Sequence, residues 1–486
     1  MNVLAIDQGT SATKALLAGR GGEVLGRAEV PVRTRSVGPD GVEADPEELF
    51  GSVVEAGRRA LAAAGGAAAG AVALANQGET VLAWDRRTGR PLTPAIVWQD
   101  RRSAGVCARL ADRAGELTAL TGLPLDPYFA APKMTWLREN LTGDGVVTTT
   151  DSWLLARLGA GYLTDASTAS RTLLLDLDAV RWSPAACQSF GIELAGLPQI
   201  ADCAGVSGET AAFGPALPVA GLAVDQQAAL LAEGCLAPGE AKCTYGTGAF
   251  LLVTTGDEAV RSAHGLSASV AWRLAGAATY CLDGQVYTAG AAIRWLTELG
   301  LLAGAADLDT AGGSVPDSGG VTFLPALAGL GAPHWRPDAR GAFLGLSLGS
   351  TRAHLARAVA EGIAASVALL ARTVAADRGA PLTQLRVDGG LTRSRLLVQA
   401  QADLLQVPVH VCAASDATAL GAAALARLGT GAARTLAEAV GPVPVETVID
   451  PAITADEAAE RLAAFDSAQR AALTASGPGP AGDAAR

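Results

Sequence analysis

The sequence predicts an α/β protein made of two similar domains with a cleft between them. Its 486 residues are too many for one hydrophobic core and suit two. Strand-like and helical segments alternate through the first half, and the pattern restarts in the second half. Each half also contains one short glycine-threonine turn between two strand-like runs. These observations indicate two related domains that each bring one turn to a shared cleft.

The two turns are Asp7-Gln8-Gly9-Thr10-Ser11 and Tyr245-Gly246-Thr247-Gly248. Strand-like runs flank each of them, so each is interpreted as a β-hairpin turn. Backbone N–H groups and a hydroxyl in such a turn form a concave set of donors that suits a phosphate chain. Neither turn has the spacing of a Walker loop or of a dinucleotide fingerprint. An ordinary tight hairpin is the alternative for either turn alone, but one turn in each half favours a bound nucleotide.

The first half begins with three predicted antiparallel strands within 32 residues, separated by the first turn and by Gly21-Gly22. A helix from Asp45 to Ala64 follows, because Asp is a good N-cap and Pro46 suits the first helical position. The strand Val72–Ala75 then leads into Asn76–Glu79. Polar residues at a strand end are where α/β folds place ligands.

Further along, the apolar segment 94–97 leads into Trp98–Arg102, and the strand Val219–Val224 leads into a helix from Asp225 to Leu236. Pro238-Gly239 marks the predicted hinge. In the second half we predict strands around 241–255, helices at 289–299, 352–378, 394–405 and 417–428, and strands at 385–387 and 407–411. Gly and Pro within 476–480 predict a disordered tail from residue 473 onward.

Bulk properties restrict the partners and the compartment. A formal net charge of −11 disfavours nucleic acid and anionic membrane surfaces. No uninterrupted apolar run reaches 18 residues and no secretory signal is recognised, so no membrane span is expected. The 7 cysteines show no Cys-x-x-Cys spacing, which indicates a reducing cytoplasm. The 4 histidines form no metal-ligand pattern.

Several longer motifs, in order, identify the chain as a member of a known family. It resembles the FGGY carbohydrate kinases over about residues 2 to 445, and within them the glycerol kinases most. The motifs that carry the resemblance are Asp7–Thr10, Ile96–Gln99, Asp126–Phe129, Asp225–Leu230, Thr244–Gly248, Gly329–Pro333 and Asp388–Gly390.

The resemblance implies two actin-like ATPase (ribonuclease H-like) domains, at residues 1–237 and 238–472, that close on a cleft. It implies transfer of the γ-phosphoryl group of ATP, with Mg²⁺, to a primary hydroxyl of a small polyol or sugar. Glycerol, giving glycerol 3-phosphate, is the acceptor that the nearest relatives suggest. A cytoplasmic homodimer is the expected assembly.

Asp225 is the expected general base. A hydroxyl nucleophile loses its proton as it attacks, and a carboxylate within hydrogen-bond reach accepts that proton. The helix dipole at the predicted helix start favours the ionised form of Asp225. The alternative from local sequence is a helix N-cap, the commonest role of Asp at such a place.

On the nucleotide side, the resemblance implies that Asp7 meets the magnesium–phosphate assembly through water, since Mg²⁺ usually keeps several waters. Lys14 occupies a basic position near the phosphates, with a solvated strand-end charge as the alternative. Arg294 and Ser394 stand where glycerol kinases often carry amides, so the base preference stays open. The remaining expected contacts are the phosphate donors Gly9, Thr10, Ser11, Gly246 and Thr247, and the nucleoside neighbours Gly290, Gly389 and Gly390.

The acceptor pocket implied by the resemblance has apolar walls and a few polar groups. Core packing is the alternative for its aromatic residues. Glycerol kinases carry an arginine immediately before the pocket glutamate, and here that position is Gly78. Either another residue replaces the lost donor or the acceptor differs. The expected pocket residues are Gly78, Glu79, Trp98, Tyr128, Asp225, Gln226 and Phe250.

Two further hypotheses stay open on the sequence. One is a kinase for a longer polyol or ketose, such as erythritol, xylulose or ribulose. The other is a non-catalytic sensor that binds ATP, against which the retained Asp7, Asp225 and both turns argue.

Overall fold

Continuous apolar runs in β1 and β2, and a partly alternating run in β3, form the antiparallel strands on which the first large sheet is built. The computed structural model describes residues 1–413 and 416–475. The strands of its first part are β1 Val3–Gln8, β2 Ala12–Ala18, β3 Val24–Pro31, β4 Thr34–Val37, β5 Gly41–Ala44, β6 Ala71–Asn76, β7 Val81–Trp84, β8 Ala95–Ile96, β9 Val146–Thr149, β10 Leu163–Asp165, β11 Leu175–Asp176, β12 Arg181–Trp182, β13 Gln199–Ala201, β14 Ala204–Thr210 and β15 Leu217–Val224. Its helices are α1 Pro46–Ala63, α2 Ala104–Arg109, α3 Ala114–Thr121, α4 Ala130–Asn140, α5 Thr150–Leu158, α6 Ala166–Ala169, α7 Pro184–Phe190 and α8 Asp225–Ala232.

The second part carries the other large sheet. Its strands are β16 Ala241–Tyr245, β17 Ala249–Gly256, β18 Ser267–Leu274, β19 Ala277–Val286, β20 Thr322–Leu324, β21 Ala342–Leu344, β22 Leu385–Asp388, β23 Val409–Cys412 and β24 Val445–Ile449. Its helices are α9 Gly290–Glu298, α10 Asp307–Gly312, α11 Arg352–Arg378, α12 Arg395–Leu405, α13 Ala417–Gly429, α14 Leu436–Val440 and α15 Ala455–Ala475. Short 3-10 turns lie at 111–113, 194–196 and 390–393.

The two sheets repeat one topology, which confirms the prediction of two similar α/β domains. In the first sheet the order β3-β2-β1-β6-β15 runs antiparallel, antiparallel, parallel, parallel. In the second sheet the order β19-β17-β16-β22-β23 has the same sequence of pairings. The two glycine-threonine turns occupy equivalent places, since one joins β1 to β2 and the other joins β16 to β17.

Strand register explains why distant residues meet at one edge of the first sheet. β1, β6 and β15 are parallel, and Gln8 and Val224 both pair with Asn76. The three strands thus end at the same level. This edge carries Asp7, the segment after Asn76, and Asp225, as expected for ligand-binding residues at the carboxyl ends of parallel strands.

Local signals set the helix starts as the sequence predicts. Asp45 caps α1 by accepting the N–H of Glu47 at 2.9 Å, and Pro46 is the first helical residue.

Helix α8, in contrast, ends at Ala232 and not at Leu236, because the chain turns through Gly234 in the left-handed region. The predicted tail, residues 473–486, coincides with the end of α15 up to Ala475 and otherwise lies outside the described residues.

Helix α11 is the central helix of the second domain. By length and composition alone it could cross a membrane, but 72% of its most apolar window is buried inside the protein. It packs against α12 and against strand β20. Its apolar residues therefore belong to the core of the second domain.

Helix α13 comes from the second half of the sequence but packs against the first sheet and against α8. Glycine makes this close approach possible: a Cβ at Gly421 would lie 1.9 Å from the carbonyl oxygen of Ala228. A Cβ at Gly221 would lie 2.5 Å from the carbonyl oxygen of Ala422. A division at residues 237 and 238 separates the two large sheets but not all of their helices.

We predict that Gly421→Ala lowers the free energy of unfolding by about 1–3 kcal/mol, the usual cost of overpacking. The matched control is Gly51→Ala on the exposed face of α1, where an added Cβ meets no atom within 4 Å. This control should raise stability by about 0.5–1 kcal/mol, the helix propensity difference. Equal effects of the two substitutions in urea unfolding would contradict the packing of α13 against α8.

Candidate active site

A cavity of about 500 Å³ lies between the two sheets. Both glycine-threonine turns and the aromatic residues expected around an acceptor line this one space. The expected site residues that line it are Asp7, Gly9, Thr10, Ser11, Lys14, Glu79, Trp98, Tyr128, Asp225, Gln226, Gly246, Thr247, Phe250 and Arg294.

The first turn is a β-hairpin turn, as predicted. The N–H of Gly9 donates to the carbonyl oxygen of Ala12 at 3.1 Å, which closes the turn between β1 and β2. Asp7 and Lys14 face each other as paired residues of these strands. Burial, followed by the charge of Asp225, raises the pKa of Asp7 to about 7, while Lys14 opposes the shift. Lys14 lines the cavity beside the first turn.

The hydroxyl of Thr10 belongs to a hydrogen-bond chain that reaches the acceptor side. It donates to Oε1 of Gln77 at 3.0 Å and accepts the indole N–H of Trp98 at 2.9 Å. Nε2 of Gln77 continues the chain to Oε1 of Gln8 at 3.2 Å, and Gln8 donates to the carbonyl of Gly9 at 2.8 Å. The expectation that this hydroxyl donates to phosphate is therefore revised, because its proton is already used. The backbone N–H of Thr10 is the group left for a phosphate.

The second turn is held against the start of α9. The N–H of Gly246 donates to the carbonyl of Gly248 at 2.9 Å. The carbonyl of Gly246 accepts the N–H of Gly290 at 3.0 Å, and the carbonyl of Thr247 accepts that of Ala291 at 3.1 Å. The first N–H groups of α9 thus fix the turn, since no earlier residue of the helix can accept them.

Three glycines expected against the nucleoside do not line the cavity. A Cβ at Gly290 would lie 2.6 Å from the carbonyl oxygen of Gly246. A Cβ at Gly389, which has φ +96°, would lie 2.4 Å from the carbonyl oxygen of Tyr245. Both glycines therefore let backbone approach the second turn closely. Gly390 has open space where a Cβ would stand.

Ser394 also differs from its expected role. It caps α12: its hydroxyl accepts the N–H of Leu397 at 3.2 Å and donates to Oδ1 of Asp309 at 2.6 Å. Its hydrogen-bonding capacity is thus used within the fold and not directed into the cavity. Arg294, one turn into α9, does line the cavity.

Asp225 is the first residue of α8, and the N-cap position belongs to Val224. The cap role that local sequence suggested is therefore not the one observed. Oδ1 of Asp225 accepts the N–H of Gln226 at 2.6 Å. Burial, and then the charge of Glu79, raises the pKa of Asp225 to about 6, while the Gln226 N–H opposes the shift. At neutral pH this carboxylate is ionised and able to accept a proton.

The aromatic residues form a corner of the cavity. The ring centroid of Trp98 lies 5.7 Å from that of Tyr128 and 6.5 Å from that of Phe250, with both pairs edge to face. All three residues line the cavity. They are therefore not pure core residues, and their faces form the apolar walls expected of a small-ligand pocket.

Gly78 does not line the cavity. Its backbone has φ +82°, and a Cβ there would lie 3.0 Å from Cγ2 of Val224. Glu79, the next residue, is 3% exposed and does reach the cavity.

Sequence reasoning missed two buried cations. Arg171, after α6, lines the cavity and donates from Nε to Oε1 of Glu79 at 2.8 Å. Lys242, on β16, donates from Nζ to Oε1 of Gln226 and to Oγ1 of Thr244, each at 2.7 Å. The available signals were a lone arginine in a run of small and apolar residues and a lysine inside an apolar strand.

The residues fit a nucleotide–magnesium complex. Mg²⁺ is usually held by one or two carboxylates together with substrate phosphates. Asp7 supplies one carboxylate beside the first turn. Among the described residues no group of three or more His, Cys, Asp or Glu could hold a metal alone. The donor set therefore suits an ion that arrives with phosphate.

Curated relatives are named glycerol kinases. That of Thermus brockianus is 46% identical over 446 residues, which is 88% of this chain and 90% of the relative. That of Alkalilimnicola ehrlichii is 43% identical over 489 residues, which is 97% of this chain and 98% of the relative.

Solved structures of carbohydrate kinases are similar to this chain over almost its full length. The Plasmodium falciparum glycerol kinase with ADP matches with TM-score 0.89 at 29% identity, over 97% of this chain and 98% of the other. A xylulose kinase from Rhodospirillum rubrum matches with TM-score 0.87 at 25% identity, over 98% of this chain and 100% of the other. The models of the FGGY carbohydrate kinases match residues 2–232 with the N-terminal domain and 241–429 with the C-terminal domain. The chain therefore belongs to the FGGY family of carbohydrate kinases.

Proposed function

We propose that this ATP-dependent carbohydrate kinase transfers the γ-phosphoryl group of ATP to a primary hydroxyl of glycerol, giving glycerol 3-phosphate. One observation carries the proposal: Asp225, both turns and the aromatic corner share one cavity. The relatives at 43–46% identity, all named glycerol kinase, support this choice of acceptor.

In the proposed reaction Asp225 accepts the proton of the attacking hydroxyl. The N–H of Gln226 holds its carboxylate in place at 2.6 Å. Lys242 holds the side-chain carbonyl of Gln226, which leaves the amide N–H groups of Gln226 for the acceptor. Trp98 and Phe250 supply the apolar surface for the carbon chain. Positioning and charge are the main tasks of a protein in phosphoryl transfer.

For the nucleotide, we propose that the backbone N–H groups of the two turns, with Lys14 and Arg294, hold the phosphates. Asp7 would meet Mg²⁺ through water. The ion would neutralise phosphate charge when bound. Closure of the two domains about the segment around Pro238-Gly239 would exclude water from the reacting groups.

The compartment and the assembly are also proposals. All 7 cysteines lie within the described residues and are free, which supports a reducing cytoplasm. We propose a homodimer from the family resemblance, and the charge of −11 supports a protein that binds neither nucleic acid nor anionic membranes.

A second candidate is a kinase for a longer polyol or ketose, such as erythritol, xylulose or ribulose. Gly78 favours it, because no side chain from that position enters the pocket. A non-catalytic ATP sensor is less well supported, since Asp225 and both turns are present and face one cavity.

Coupled ATP turnover with Mg²⁺ against glycerol, erythritol, xylulose and ribulose separates these candidates. We expect glycerol to be the preferred acceptor. Asp225→Asn should lower kcat about a hundredfold or more, as loss of a general base does. Turnover confined to a longer acceptor would overturn glycerol as the acceptor, and turnover unaffected by Asp225→Asn would overturn the proposed base.

The pH dependence follows from Asp225. Its raised pKa of about 6 means that the carboxylate loses its charge, and its capacity as a base, as the pH falls through that value. Since kcat/KM reports the free enzyme, kcat/KM for the acceptor should fall roughly tenfold between pH 7 and pH 5. A flat profile of kcat/KM down to pH 5 would contradict this assignment.

A further inference from the structure

A buried arginine lies at the junction of the two domains within the acceptor pocket. Arg171 is 4% exposed. Its Nε donates to Oε1 of Glu79 at 2.8 Å, and its Nη1 donates to Oδ2 of Asp283. Glu79 follows strand β6 of the first sheet, and Asp283 lies on β19 of the second. One guanidinium therefore joins carboxylates from both sides of the cleft.

The rest of this guanidinium is placed for a ligand. Its Nη2 makes no hydrogen bond to any described residue, although the side chain is almost fully buried. Cζ of Arg171 lies 5.8 Å from the ring centroid of Tyr128 and 5.3 Å from that of Phe129. Arg171 lines the cavity that holds Asp225. A charged donor that lines the cavity and is not used within the fold is available to a polar group of a ligand.

The neighbouring position does not supply such a donor. Gly78 has no side chain, and a Cβ there would lie against Val224. The family resemblance places an arginine at that position in glycerol kinases. We propose that Arg171 donates from Nη2 to a hydroxyl of the acceptor and replaces the donor absent at Gly78. This inference rests on the proposed phosphorylation of a small polyol, and it names a residue that recognises the acceptor by a hydrogen bond.

The pairing of Arg171 with Glu79 also indicates which functional group of the acceptor is recognised. Only Oε1 of Glu79 is bound to Arg171, and Oε2 accepts no hydrogen bond from any described residue. The ion pair thus keeps one donor nitrogen and one acceptor oxygen that are not used within the fold. A hydroxyl fits such a pair, because it accepts from Arg171 and donates to Glu79. In this proposal the hydroxyl bound by Arg171 and Glu79 is different from the one that Asp225 deprotonates.

The test compares acceptors that lack one hydroxyl. Wild-type kcat/KM is measured for glycerol, 1,2-propanediol and 1,3-propanediol, and again for Arg171→Gln and Arg171→Lys. In the wild type, at least one diol should be tenfold or more worse than glycerol, as expected when a charged hydrogen bond is lost. In Arg171→Gln the ratio of kcat/KM for glycerol to kcat/KM for that diol should shrink to within about threefold. A purely structural role would lower activity with all three acceptors and leave the ratio unchanged, which would overturn the proposal.

Arg273→Gln is the matched control. Arg273 on β18 also pairs with a carboxylate of the first part, Asp202, but it does not line the cavity. Its variant should keep the wild-type ratios. If both Arg171 variants fail to fold, calorimetric binding of the three ligands to the wild type decides, and equal affinities for all three would overturn the proposal.

Failure of the proposed acceptor is a separate outcome. A wild-type protein that uses only a longer polyol or ketose disproves glycerol as the acceptor. The same ratio is then measured with that acceptor and its monodeoxy analogues. Retention of the wild-type ratio in Arg171→Gln with those analogues overturns the role of Arg171 in the same way.

Discussion

The buried ion triad of Glu79, Arg171 and Asp283 is the interaction on which the cleft depends. Taking charges out of water costs several kcal/mol per ion, and only mutual attraction with good geometry offsets that cost. Burial lowers the pKa of Arg171, but the charges of Asp283 and Glu79 outweigh burial and leave it raised. Because Glu79 follows β6 of the first sheet and Asp283 lies on β19 of the second, the triad joins the two domains at the point where the acceptor would bind.

A second set of polar contacts extends this link toward the phosphate turns. Lys242 ties Gln226 of α8 to Thr244 on the strand that leads to the second turn. Thr10 ties the first turn to Trp98 at 2.9 Å. The acceptor pocket is thus hydrogen-bonded to the first turn and to the strand that leads to the second turn. Such preorganised groups are what phosphoryl transfer requires of a protein.

The parts of this site that sequence could predict are local. The turns, the strand ends at Asp7 and Asp225, and the capped start of α1 follow from short patterns, and the structure contains each of them. Arg171 could not be found in this way, because its partners lie 92 and 112 positions away. Gly290 and Ser394 were expected at the nucleotide because the family resemblance matches positions in the sequence. It does not show which residues each of them contacts in the folded chain. Their contacts with Gly246 and Asp309 exist only in the folded chain.

Thermal and urea unfolding of charge variants tests the triad most directly. Arg171→Met should destabilise the protein by about 3–5 kcal/mol, because it leaves the two buried carboxylates of Glu79 and Asp283 without their cation. The triple variant Glu79→Gln, Arg171→Met, Asp283→Asn removes every charge of the triad and should recover most of that loss. Unfolding midpoints of Arg171→Met equal to those of the wild type would contradict the claim that this ion triad holds the cleft together.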